Sequence, residues 1–121
     1  MLINLAFKMP AMNQISEIAH TVNRELATGN SSTRLLKMNG SSMVADGIKD
    51  GDILIVEENF KEVNGKIILA RLEGMLLVRR MELQGRRMRL LSGGNYFAPL
   101  EVDPYADFKI LGIVQFVMHP L

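Results

Sequence analysis

The sequence predicts a mainly β domain carrying one N-terminal amphipathic helix. Three observations predict it. Ile53-Leu54-Ile55-Val56 is a continuous, largely β-branched apolar run of strand length, as expected of a strand buried on both faces. From Ser31 onward, short apolar runs are punctuated by glycine dipeptides such as Asp46-Gly47, Asp50-Gly51, Glu73-Gly74 and Gln84-Gly85. Helical spacing is convincing in one stretch alone, from Asn13 to Leu26, where Ile15, Ile18, Ala19, Val22 and Leu26 share a face.

In chain order, residues 1–12 have no period, and Pro10 interrupts them; they read as an extended arm. Asn13 or Ser16 caps the helix and Thr28-Gly29-Asn30 stops it. Thr33 to Met38 leads into a turn built on Gly40-Ser41-Ser42-Met43, and Ile53 to Glu57 is the strand that follows. Lys66 to Leu72 alternates clearly enough to be a strand. Glu73-Gly74 turns it into Met75 to Leu83, and Gln84-Gly85 turns that into Arg86 to Leu91, so two hairpins are predicted. Ser92 to Asn95 is a loop. Tyr96 to Val102 contains Pro99, which puts it at a sheet edge, and Phe108 to Met118 is a long closing strand whose Gly112 marks a bulge or a close approach. Residues 13–121 thus form a single domain behind the arm.

Composition narrows the function classes. A chain of 121 residues supports one core. Its 48% apolar and 22% charged residues are those of an ordinary globular protein, and no run reaches the ~20 apolar residues of a membrane span. Zero cysteines exclude disulfides and thiolate metal sites and fit a reducing cytoplasm. His20 and His119 are the only imidazoles and lie far apart in sequence, so neither a metal nor another cofactor is expected. A net charge of +1 gives no general attraction to nucleic acid. No second helix completes a helix-turn-helix, so direct sequence-specific DNA binding by this chain is not expected. Arg79, Arg80, Arg86, Arg87 and Arg89 crowd one hairpin, and their simplest reading is its wet face, with Val78, Met88 and Leu90 inward. Asp46, Asp50, Asp52, Glu57 and Glu58 lack the alternate spacing of a calcium loop.

On local grounds Ser42 is either a turn residue or a nucleophile held at a cleft; serines in glycine-rich turns are mostly the former. The wider pattern bears on the choice. GSSM-x3-GI-x-DGD-ILIV, at Gly40 to Val56, resembles the GDSM-x3-GI-x-DGD-LLIV signature of the LexA/UmuD family of self-cleaving serine peptidases. NGKIILARLEGMLLVRRMEL, LLSGGNYFAPLEV and FKILGIVQFVM resemble the family's later segments in the correct order and spacing, so the likeness covers nearly the whole chain. It implies the β-rich fold of that family's C-terminal domain. It also implies that Ser42 holds the nucleophile position, paired in the family with a lysine acting as general base at a pKa near ~7–8.

That lysine position is Arg79 here. Guanidinium has a pKa above ~12 and stays protonated in proteins. Bringing it to neutrality costs roughly 7 kcal/mol at ~1.36 kcal/mol per pH unit, so Arg79 is expected to donate hydrogen bonds to Ser42 or a nearby carbonyl. Lys66 falls where the family has an acidic residue and Lys61 belongs to a loop. Ser41 replaces the family's aspartate. Phe7 to Ala11 resembles the stretch that follows the family's cleaved bond, yet no Ala-Gly or Cys-Gly pair precedes Ser42. The resemblance therefore implies a cytoplasmic protein of the SOS DNA-damage response, closest to processed UmuD. It would be a homodimer contacting a translesion DNA polymerase subunit and the RecA filament, pairing through the edges of Tyr96–Val102 and Phe108–Met118. Two alternatives stand beside it: an active self-cleaving peptidase with Ser42 as nucleophile, and the dimerisation domain of a LexA-like or phage repressor.

Overall fold

Apolar alternation after Ser31 resolves into seven strands of one sheet: β1 (Thr33–Lys37), β2 (Ile53–Glu57), β3 (Ile67–Leu72), β4 (Met75–Gln84), β5 (Arg87–Leu91), β6 (Leu100–Glu101) and β7 (Phe108–Met118). The computed structural model describes residues 32–93 and 98–121. The arm, the helix expected over Asn13 to Leu26 with His20, and Tyr96 and Phe97 lie outside the described residues. Every neighbouring pair of strands is antiparallel, and the order across the sheet is β1-β2-β7-β3-β4-β5-β6.

The two predicted hairpins form. β3 and β4 are joined by Glu73-Gly74, whose φ angles of 49° and 81° follow the primed-turn pattern that matches strand twist. The Glu73 turn is also tied to the loop before β7, because its N–H donates to the Asp107 carbonyl at 2.8 Å and its carboxylate accepts from the Asp107 N–H at 3.0 Å. Gly85-Arg86 joins β4 to β5. The short β6 holds the edge that Pro99 predicted, reduced to two residues.

Strand β3 forms where the alternation placed it, and Ile68, Leu69 and Ala70 are all buried. Leu69 joins a cluster with Leu36, Met43, Ile48, Leu54, Val56 and Val78, while Ile68 and Ala70 join Met81 and Leu90. Consecutive residues of a strand point to opposite faces, so both faces of the sheet are covered at its centre. The hairpin follows suit: Val78 and Leu90 are inward but belong to different clusters.

The closing strand needs a correction. It is not an end strand, since β2 lies on one flank and β3 on the other. The two flanks are paired in succession, residues 108–113 to β3 and residues 113–118 to β2, with Ile113 paired on both and residues 108–112 without a β2 counterpart. Residues 114–118 pair with β2 but have no counterpart on β3, and among the described residues that half keeps one open flank. Strand periodicity reports which face a residue occupies; it carries no information on which strands will be its neighbours. Gly112 fulfils both of its expected roles. The β3–β7 register slips beside it, and a Cβ there would lie 2.5 Å from Val56 Cγ1 and 2.8 Å from the Glu57 carbonyl oxygen.

Candidate active site

The turn that carries Ser42 is closed before the serine is reached. Met38 N–H donates to the Asp52 carbonyl at 2.7 Å and Gly51 N–H returns to the Met38 carbonyl at 2.9 Å, so the loop between β1 and β2 is pinned at its neck. Asp50 reaches across to accept the Gly40 N–H at 2.7 Å. Beyond the serine, Met43 and Ile48 are fully buried and act as anchors for an exposed bend. Between them runs a single 3-10 turn, Val44–Asp46, ended by Gly47 in the left-handed conformation. Gly47 and Gly51 both adopt positive φ, as the two Asp-Gly dipeptides predicted.

A second segment holds this bend from outside. Gly93 N–H donates to the Ser42 carbonyl at 2.9 Å, and a Cβ at position 93 would fall 2.8 Å from Asp46 Oδ2 and 2.9 Å from Asp46 N. Only glycine permits that approach. Arg80 supplies a further brace, bonding Asp46 at 3.2 Å and the Gly65 carbonyl at 2.7 Å.

Arg79 comes to Ser42 from β4, where it sits opposite Ile68 of β3. Its Nη1 donates to Ser42 Oγ at 2.8 Å and to the Val78 carbonyl at 2.8 Å. Burial pushes the Arg79 guanidinium below its ordinary pKa, since the charged form loses hydration, but a guanidinium so placed still has no free base to offer. Ser42 Oγ is therefore used as an acceptor, the opposite of the arrangement that activates a serine nucleophile.

Ser42 and Arg79 open onto a cleft of about 290 Å³ whose walls include Leu36, Met38, Leu69, Leu76, Leu77 and Val78. Lys37 lines it too. Lys61 and Lys66 are the alternative lysines that the sequence offers, and no motif marks Lys37, whose one signal is its position three residues before Gly40. Lys61 and Lys66 line a different hollow, beside Phe116. Two further contacts were not anticipated. Asp52, 2% exposed, accepts the Lys49 N–H at 2.7 Å and lies 2.8 Å from His119 Nδ1, joining the neck of the loop to the end of β7. The hairpin arginines are also more than a wet face, because Arg87 pairs with Glu101 and Arg89 with Glu82. The acidic residues near the site are each engaged by protein donors, and among the described residues no group of three or more His, Asp or Glu side chains is placed to hold a metal.

Comparison with known proteins adds the relatives. The family described as Peptidase S24-like matches residues 2–115. The chain is 40% identical over 79 residues to LexA repressor 2 of Pseudomonas putida, covering 65% of this chain and 39% of the relative. It is 44% identical over 80 residues to the LexA repressor of Dechloromonas aromatica, covering 65% and 40%. To the LexA repressor of Ralstonia nicotianae it is 38% identical over 87 residues, covering 71% and 40%. The chain thus spans about two fifths of the length of the curated relatives it matches.

Proposed function

This chain belongs to the Peptidase S24-like family, the LexA/UmuD family, and from that membership we propose that it is an assembly domain of the LexA-repressor type whose peptidase chemistry is silenced by Arg79. One observation carries the reading: Arg79 Nη1 donates to Ser42 Oγ at 2.8 Å. The nucleophile position is kept and its surroundings are built with care, but the group in contact with it is a cation that cannot take a proton. Substituting arginine for lysine keeps the charge and exchanges a compact ammonium that titrates when buried for a planar donor that does not.

The test is cleavage of a peptide carrying an Ala-Gly bond, followed by mass spectrometry, for the parent protein, Arg79→Lys, Ser42→Ala and the double variant. The parent leaves the peptide intact, Arg79→Lys cuts it, and the double variant does not. Cleavage by the parent that Ser42→Ala abolishes overturns the reading and makes this an enzyme.

The relatives described above are repressors, which favours the repressor-type domain over the UmuD-like reading, an accessory subunit contacting a translesion polymerase and the RecA filament. Either role works through protein association, with dimerisation as its first step. Co-purification with a translesion polymerase subunit, together with failure of the full gene product to shift operator DNA, would turn the assignment toward UmuD.

A further inference from the structure

The cleft beside Ser42 combines apolar walls with an unbalanced charge. Its lining holds two cations, Lys37 and Arg79, and no carboxylate. Neither cation lies within ion-pair distance of an acidic side chain among the described residues, whereas Arg34, Arg80, Arg87 and Arg89 each do. Of the acids along the loop, Asp46 is held by Arg80 and Asp50 is turned to the Gly40 N–H. Arg79 is only partly exposed and loses hydration for it, yet spends Nη1 on a hydroxyl and a carbonyl, and among the described residues Nη2 and Nε have no acceptor. A partly desolvated guanidinium without a counter-ion is a site for an anion that presents two oxygens in a plane.

We propose that this cleft binds the free C-terminal carboxylate of an apolar, extended peptide. The inference rests on the reading that Arg79 holds its proton and that the site binds where its relatives would cut. At about 290 Å³ the cleft is just below the ~300–1,000 Å³ of ligand pockets, room for the last few residues of a chain. The six aliphatic and methionine side chains of its walls suit apolar terminal residues. The neighbouring β1 is the end strand of the sheet among the described residues, the position at which a sheet takes on an added strand. Arg79 holds the carboxylate through its fork and Lys37 adds charge at the rim.

The experiment uses the whole protein and a fluorescein-labelled hexapeptide of alternating threonine and valine ending in alanine, made once as the free acid and once as the C-terminal amide. Fluorescence anisotropy is expected to show the acid bound about tenfold or more tightly than the amide, since the amide lacks the charge-assisted pair. Arg79→Gln is expected to bind acid and amide alike, and added salt to weaken the acid alone. Equal affinity of the two peptides for the parent protein overturns the proposal, and that comparison needs no variant to fold. An internal-glutamate peptide with an amidated end that matches the acid overturns the terminal assignment. Mass spectrometry of the recovered peptide separates the two readings: peptide cut by the parent refutes the silenced site, and peptide left whole with no preference for the acid refutes the carboxylate alone.

Discussion

Replacing Gly112 with alanine places a methyl group 2.5 Å from Val56 Cγ1 and 2.8 Å from the Glu57 carbonyl oxygen, where carbon contacts settle at ~3.5–4.0 Å. Neither neighbour can give way cheaply. Val56 is fully buried in the cluster with Leu54 and Leu69, and a β-branched side chain has little rotamer freedom. The Glu57 carbonyl belongs to β2, which is held by β1 and β7 together. Gly112 itself is outside the left-handed region, so the penalty is one of contact and not of backbone conformation. Overpacking of this kind costs about 1–3 kcal/mol, and alanine's less flexible unfolded chain returns about 0.4–1 kcal/mol. The net loss is about 1–2 kcal/mol, which for a urea slope of about 1–2 kcal/mol per molar lowers the unfolding midpoint by about 1 M. Equilibrium unfolding in urea, followed by far-ultraviolet circular dichroism, reads it directly. A midpoint equal to or above that of the parent would mean that the bulge leaves room for a methyl group and that the packing argument is wrong.

Two further outcomes follow from the loop and from β2. Asp52→Ala removes a buried carboxylate and leaves the part-buried Lys49 N–H without its acceptor, which costs about 1 kcal/mol or more and lowers the melting temperature by several degrees; a melting curve superimposable on the parent's would refute the role given to that carboxylate. Burial alone would raise the Glu57 carboxyl, but hydrogen bonds from Ser32, the Asn59 N–H and Thr33 outweigh it and hold the group below the usual carboxylate range. Its folded pKa is thus the lower one, so its contribution to stability is complete above the unfolded value and is lost as pH falls through the folded value. Urea midpoints of the parent and Glu57→Gln, measured from neutral pH downward, should converge under acid; a gap that stays constant with pH refutes the assignment.

Much of this structure is legible in local sequence, and the limits follow from what local sequence encodes. β7 spans the residues that alternation assigned to it, and the Asp-Gly and Glu-Gly dipeptides lie at turns with positive φ, because both properties are decided within a few residues. The contact between Ser42 and Arg79, 37 residues apart, was reachable only through the family motif. Lys37 in the cleft, Gly93 against Asp46 and His119 beside Asp52 had no motif to announce them. The same holds for the place of β7 between β2 and β3. Such neighbours are set by how strands far apart in the chain are ordered across the sheet, and periodicity is blind to that order.

The position of β7 has a consequence for how the molecule comes together. β1 and β2 pair with each other, and β3, β4 and β5 form successive hairpins, but no hydrogen bond joins β2 to β3. Among the described residues, strand pairing joins the two halves of the sheet only through residues 108–118, and β7 begins at Phe108, 36 positions after β3 ends at Leu72. During synthesis both halves wait with an unpaired strand edge and an uncovered apolar face until the last strand slots between them. Long-range pairings of this kind form slowly, and a strand edge that waits for them is open to association with other chains.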